Sequence, residues 1–372
     1  MRLVVFGSGH PFRGGVARTT TEMVSGLEGR GHEVLFLTPR RQYPTWLFPG
    51  ASDRDPDACR QLGCASAVLE PLNPMSWAAG RARAAAFNAD AWIMPYWTWA
   101  WAGLWLFLLR GEHPPAVAVV HNPADHDSGM LRRRTARSVL RRCRALFTHA
   151  VSLERHLGEA HPGVPTASYP FPPTAVEPLP DRTAARAELD LPSERRVALF
   201  LGLIRPYKGV DLLIDAAAKL PESSDWLVMV AGEPWGGLEN VLTQQVSDLG
   251  LEDRVRLALR WVPEPEVPRL LAAADLVVLP YRSGSQSAVA PMALAAGVPV
   301  LSTSVGGLPE IVRHGVDGWL VDAGSVEALT TAFVELDEPR LKELARGAVE
   351  GRDRFTWDGY ASALEELISK VI

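Results

Sequence analysis

Residues 197–210, VALFLGLIRPYKGV, constrain this chain more than any other stretch. Five apolar residues run into Gly202, a short loop carries Arg205 and Lys208, and Gly209 opens a helical pattern, DLLIDAAAKL. An uncharged run of this kind reads as a strand buried on both faces, which implies a parallel sheet. Its exit loop then lies at the carboxyl end of the strand, where open α/β sheets bind ligands. Gly202 and Gly209 permit tight turns and close backbone approach. Arg205 and Lys208 add two positive charges, and the helix start adds unpaired N–H groups. The set suits a diphosphate; a solvated strand-to-helix loop is the plainer alternative.

The rest of the chain is compatible with such a sheet. Its 372 residues, 47% hydrophobic and 22% charged, suit about two globular domains. A net charge of -5 argues against general nucleic-acid binding. Cys59, Cys64 and Cys143 are an odd set with no CxxC, so they predict neither a disulfide framework nor a zinc knuckle. Cys59 and Cys64 read as free thiols of a reducing compartment. MRLVVFGSG is too short an apolar run for a signal peptide and reads as a first strand, so the expected location is cytoplasmic.

In the first half, strands are predicted at 2–6 and 34–37, with a helix between them spaced by Val16, Met23, Val24 and Leu27. Gly7 and Gly9 begin a dinucleotide-type pattern, but Phe12 stands where a third glycine belongs and Thr38-Pro39 where an acid belongs. Gly14 and Gly15 instead read as backbone N–H donors at a helix start, with a packing pair as the alternative. Pro39–Asp57 is a long loop suited to an acceptor or to a lid. Residues 91–109 carry no charge, about the minimum length for a membrane span. Pro95 interrupts them, AWIM reads as a buried strand, and Trp97, Trp101 and Trp105 share one helical face. That face suits a core helix or a helix at a bilayer interface. A strand at 117–120 ends in His121-Asn122, placed to touch an acceptor or to serve a structural role. LRRRTARSVLRRCRALFTHA reads as an arginine-rich helix with Arg133, Arg137, Arg141 and Arg144 on one face. Such a face is either solvated or meets anionic lipid head groups or a pyrophosphate-bearing acceptor.

The proline-rich stretch Ser168–Pro180 reads as a stiff linker. After it, strands predicted at 197–201, 227–230, 255–257, 276–279 and 298–301 alternate with helices, a doubly wound parallel sheet. Ala231-Gly232-Glu233, Val262-Pro263-Glu264 and the Tyr281–Ser287 loop face the same edge as Gly202–Gly209. Hydroxyls and backbone N–H groups of the last loop suit a phosphate or a sugar.

Taken together, these residues resemble the GT-B glycosyltransferases of family 4, retaining enzymes that use nucleotide sugars. GLIRPYKG resembles the family's donor-diphosphate motif, and VPEPEV, AAADLVVLP, ALAAGVPVLSTSVGGLPEIV and HGVDGWLV follow in the family's order. GRGHEVLFLTP and the Gly14-Gly15 loop resemble its N-terminal domain. The fold implied is α/β, with two Rossmann-like doubly wound parallel-sheet domains facing a cleft. Its boundaries would be 1–172 for the acceptor domain, 173–185 for the linker, 186–352 for the donor domain and 353–372 for a helix crossing back. The resemblance implies transfer of a sugar from a UDP- or GDP-linked donor to a glycan, lipid-linked or small-molecule acceptor. Arg205, Lys208 and His121 would be catalytic. Gly14, Gly15, Gly202, Gly209, Glu233, Val262, Pro263, Ser285, Gln286, Ser287 and Ala288 would hold the donor, and Arg13, His121 and Asn122 the acceptor. No metal or other cofactor is expected, and no nucleic acid. Peripheral contact with an anionic membrane is expected through Trp97, Trp101, Trp105, Arg133, Arg137 and Arg141. One departure stands out: the family's paired glutamates correspond to Gly284 and Met292. Gln286 and Ser287 are expected to take over part of that contact. A non-catalytic scaffold that binds a sugar nucleotide or a partner enzyme is the alternative.

Overall fold

A computed structural model of the chain describes residues 1–42, 54, 62–122, 130–174 and 178–372. The chain forms two units, Met1–Phe171 together with Thr356–Ile372, and Pro172–Phe355. Cys59 and most of the predicted Pro39–Asp57 loop lie outside the described residues.

The described part of the first unit holds β1 (Arg2–Phe6), β2 (Glu33–Pro39), β3 (Ala65–Leu69), β4 (Ala91–Tyr96), β5 (Ala116–Val120), β6 (Ala145–Thr148) and β7 (Thr166–Ser168). They form one parallel sheet in the order β3-β2-β1-β4-β5-β6-β7. Alternate residues point to opposite faces of a strand, and both faces here are covered. Val4, Phe6 and Trp92 enter one apolar cluster, while Leu3, Val5 and Ile93 enter another. That double burial is why the strands read as unbroken apolar runs. Strand order reverses between β1 and β4, so the crevice favoured for ligands opens beyond their carboxyl ends.

Several expectations for this unit need correction. Pro95 lies inside β4, because pairing with β1 stops at Ile93 and no partner there needs its missing N–H. The arginine-rich segment is not one helix: a helix covers Met130–Leu140, Arg141 and Arg144 lie beyond it, and Ala145–Thr148 is β6. Trp97, Trp101 and Trp105 do not face a bilayer. They are 6%, 0% and 0% exposed, with ring centroids 4.7, 5.6 and 6.5 Å apart in the core. They do not share one helical face either: Trp97 precedes the turn Trp99–Trp101, and only Trp105 lies in the helix Ala102–Leu108. The arginines at 132–134, 137, 141, 142 and 144 are exposed. No helix among the described residues is long and apolar enough to cross a membrane.

The helix Trp357–Ser369 belongs to this unit and packs on the helix Gly15–Gly29. Tyr360, Leu364, Leu367 and Ile368 are buried in the sheet's second cluster. Arg30 pins the pair from the rim, 2.8 Å from both Asp358 and Glu365.

The second unit holds β8 (Arg196–Leu201), β9 (Trp226–Ala231), β10 (Val255–Ala258), β11 (Leu276–Leu279), β12 (Val300–Thr303) and β13 (Gly318–Val321). All are parallel, in the order β10-β9-β8-β11-β12-β13. Here β8 and β11 flank the reversal of strand order. β12 starts later than the predicted 298, because the Val298 N–H donates to the Ala293 carbonyl and closes the preceding helix. The predicted linker 173–185 is cut short by a helix, Arg182–Glu188, whose Asp181 side chain accepts from the Ala184 N–H. Arg186 locks that helix down, 2.6 Å from Asp275 and 3.1 Å from the Ala273 carbonyl. Ser168 is the last residue of β7 rather than the start of a linker.

Candidate functional site

In the second unit, the loop leaving β8 is held from two sides. Toward β11, the Arg282 N–H donates to the Tyr207 carbonyl at 2.7 Å, and Arg282 forks onto Asp211 at 2.6 and 2.5 Å. Gly209 has φ 68° and sits against Pro280, so that a Cβ there would collide with the Pro280 carbonyl oxygen. Toward β9, pairing continues past the strand ends: Gly202 N–H to Ala231 at 3.0 Å, Ile204 N–H to Glu233 at 2.9 Å, and Trp235 N–H to Ile204 at 3.1 Å. A Cβ on Gly232 would collide with the Gly202 carbonyl oxygen, so this close approach requires glycine.

This frame presents two cations. Arg205 is extended (φ -128°, ψ 153°), as expected before Pro206. Its guanidinium lies 3.8 Å over the Trp235 ring. The Lys208 ammonium is 5.6 Å from the Tyr281 ring centre. Neither side chain has a hydrogen bond or an acidic partner among the described residues, unlike Arg282 on Asp211 or Arg260 on Glu266. Lys208 is partly exposed. Burial first, and then repulsion from Arg205, lower its pKa to about 8. An arriving anion would offset both costs.

The other predicted donor residues fall around this frame in different states. Glu233, Val262, Pro263 and Ser285 are partly buried in loops that leave the carboxyl ends of strands, and Ala288 is exposed. Ser285 accepts from the Gly307 N–H at 2.8 Å. The Ser287 hydroxyl is turned inward, 3.3 Å from the Tyr281 hydroxyl and accepting from the Val289 N–H at 3.2 Å. Both polar atoms of the Gln286 side chain are shielded from solvent and make no hydrogen bond. Met292 is in the core, so no acid reaches this edge from its position.

In the first unit, Gly14 precedes the helix Gly15–Gly29, whose first turn holds no acid. A Cβ on Gly14 or Gly15 would meet nothing within 4 Å, so neither glycine is required by packing. Arg13 is partly buried on the same loop. His121 follows β5, its N–H donating to the Tyr96 carbonyl at 2.8 Å, and Asn122 is next. His121 is 7% exposed and belongs to a column of rings: His149 at 4.7 Å, then Phe171 at 4.0 Å and Tyr360 at 5.7 Å from His149. Burial lowers the His121 pKa to about 3. Burial, with His121 beside it, holds His149 well below the ordinary histidine range. Both rings are therefore neutral near pH 7 and suit hydrogen bonding rather than charge pairing.

The sequence gives no role to Trp235 or His149, and marks Tyr281 only as the start of a loop. The signal for Trp235 was a single aromatic among glycines, GEPWGG, at the exit of a predicted strand.

With this geometry in place, similarity to known proteins becomes informative. Residues 13–167 match the family model described as Glycosyltransferase Family 4, and residues 181–348 match that for Glycosyl transferases group 1. The two matches cover a large part of both units, and the chain belongs to the family 4, group 1 glycosyltransferases. A D-inositol 3-phosphate glycosyltransferase of Thermobispora bispora is 39% identical over 201 residues, 51% of this chain and 47% of that protein. Its namesake from Mycobacterium tuberculosis is 39% identical over 191 residues, 50% of this chain and 39% of that protein. The chain thus spans less than half the length of these curated relatives. Among solved structures, sucrose-phosphate synthase from Thermosynechococcus elongatus has a TM-score of 0.82 at 19% identity, covering 100% of this chain and 99% of that one. Anabaena HepE in complex with UDP-glucose has a TM-score of 0.75 at 20% identity, covering 99% of each chain. These likenesses establish the GT-B fold.

Proposed function

We propose that the chain is a retaining glycosyltransferase that moves a sugar from a nucleoside diphosphate sugar to a hydroxyl of a glycan, lipid-linked or small-molecule acceptor. The bond between the anomeric carbon and the β-phosphate oxygen breaks, and the acceptor oxygen bonds to that carbon. The acceptor's proton leaves with the diphosphate or to solvent. The observation that carries this reading is the pair of uncompensated cations, Arg205 and Lys208, on a backbone frame at the switch point of a parallel sheet. Negative charge grows on the leaving diphosphate, and fixed cations stabilise it more in the transition state than in the ground state. We assign this role to Arg205 and Lys208, with no metal. In the first unit, we assign the acceptor to Arg13, neutral His121 and Asn122, and a phosphate contact to the Gly14-Gly15 helix start. HepE is seen with UDP-glucose, so UDP-linked donors come first in the test and GDP-linked donors second. The named activity of the curated relatives adds an inositol phosphate to the acceptor panel. Calorimetry with UDP and GDP, alongside turnover of their sugars, tests the reading. Binding of neither nucleotide defeats it.

The absence of acids at positions 284 and 292 favours a second reading, a scaffold that binds a sugar nucleotide without turnover. Nucleotide binding without transfer or donor hydrolysis across the acceptor panel would select it. We further propose a cytoplasmic protein touching the inner face of an anionic membrane through Arg133, Arg137 and Arg141, without the tryptophan face. Pelleting with anionic liposomes at low salt, lost in a triple Arg→Glu variant, is the expected outcome. Equal pelleting of both forms would defeat it.

A further inference from the structure

Arg205 has no acidic partner among the described residues, yet a cation that is to meet a diphosphate needs a defined place. One feature in its surroundings fixes it, the indole of Trp235, 3.8 Å from the guanidinium carbon. The backbone determines both partners together. Ile204, the residue before Arg205, donates to Glu233 and accepts from Trp235 itself, so ring and guanidinium hang from the same two-bond clasp. An isolated parallel bridge between Ile204 and Pro234 continues the β8–β9 pairing into this loop. Pro206 holds Arg205 extended on its other side. The cation–π contact uses none of the guanidinium's N–H donors and leaves them for an oxyanion, whereas a carboxylate partner would have consumed them.

We propose that Trp235 is a positioning residue for this site: its ring holds Arg205 flat and uncompensated, so that the guanidinium meets the donor's diphosphate without first breaking an ion pair. The inference rests on the donor reading above and adds to it the group that prepares the arginine. Trp235 stands in a glycine-rich exit loop, GEPWGG. Gly236 and Gly237, just after it, have φ 68° and 81°, and a Cβ on either would meet nothing within 4 Å.

The test separates this inference from the donor reading. UDP and GDP are titrated by calorimetry into the wild-type protein, Trp235→Ala, Trp235→Phe, Arg205→Ala and the Arg205→Ala/Trp235→Ala double variant, each with a melting curve. The expected result is an affinity loss of about tenfold in Trp235→Ala, the scale of a partly desolvated cation–π contact. Trp235→Phe should recover most of it. Removing Trp235 in the Arg205→Ala background should cost nothing more, since interacting residues are not additive. A side-chain 1H–15N spectrum gives a ligand-free readout: the Arg205 Nε–H should be shifted upfield by the indole, and the shift should vanish in Trp235→Ala. Equal affinity of Trp235→Ala and wild type, or the same loss in both backgrounds, overturns the inference while the donor reading stands. An Arg205 Nε–H resonance unchanged by Trp235→Ala also overturns it. If the wild type binds neither nucleotide, the donor reading fails and takes the inference with it.

Discussion

The two units share a topology and differ in the chemistry at the carboxyl edge. In the second unit, the edge carries two cations with no ion-pair partner among the described residues, on loops so close that glycine is required at 209 and 232. In the first unit, the edge carries neutral rings, with His121 and His149 kept uncharged by burial, and glycines at 14 and 15 that packing does not require. On the function proposed above, one sheet topology would serve two tasks. Its switch point provides open backbone, and the exit-loop side chains decide whether that opening suits a polyanion or a neutral hydroxyl partner.

The largest expected effect is at the cations. Arg205→Ala and Lys208→Ala should each lower turnover of a matched donor by about 10²–10³-fold, the scale of one lost transition-state donor. His121→Ala should instead raise the acceptor KM and leave nucleotide affinity unchanged. Steady-state kinetics with both substrates varied would break the contrast if all three variants behaved alike.

The glycines sharpen it next. Gly232→Ala should destabilise by about 2–3 kcal/mol, because the new methyl must displace the Gly202 carbonyl. Gly15→Ala should change stability by less than about 0.5 kcal/mol, and should act only on ligand affinity. Denaturant melts of both variants decide this.

The smallest effect is in pH. The free protein holds Lys208 at a pKa of about 8, so nucleotide affinity should fall as pH rises above that point, by up to about tenfold per unit. The sign for stability is opposite. The folded pKa lies below the unfolded one, so between about 8 and about 10.4 the unfolded chain binds more protons and the free fold gains stability with pH. His121, at about 3 in the fold, gives nucleotide affinity no limb between pH 5 and 8, but below about 6.5 the unfolded chain binds more protons there and the free fold loses stability as pH falls. Titrations from pH 5 to 10 would show either limb.

The second unit was the more legible in sequence. Residues 197–201, 227–230 and 276–279 are apolar runs that end at glycine or proline, and each is a strand. β3 and β7 were missed because they are short and carry little apolar signal, and β6 because the arginines before it masked the end of a helix. The tryptophan spacing suited a core helix or a bilayer helix; the rings are in the core, but only Trp105 lies in the helix Ala102–Leu108, so shared burial rather than a helical period brings them together. Arg205 and Arg282 look alike in sequence; only the fold shows that Asp211 pairs with Arg282 and that no acid among the described residues pairs with Arg205. Trp235 has no periodic partner, so its role becomes visible only once the β8 and β9 loops are side by side.

The helix Trp357–Ser369 has a consequence for biosynthesis. Tyr360, Leu364 and Ile368 complete an apolar layer whose remainder is encoded before residue 172. On the ribosome, the whole span from Pro172 to Phe355 emerges, and can fold, before that layer is closed. Nascent chains arrested ahead of residue 356 should therefore display an unsealed greasy flank, one that chaperones would recognise and a protease could use to tell early termination from a finished product.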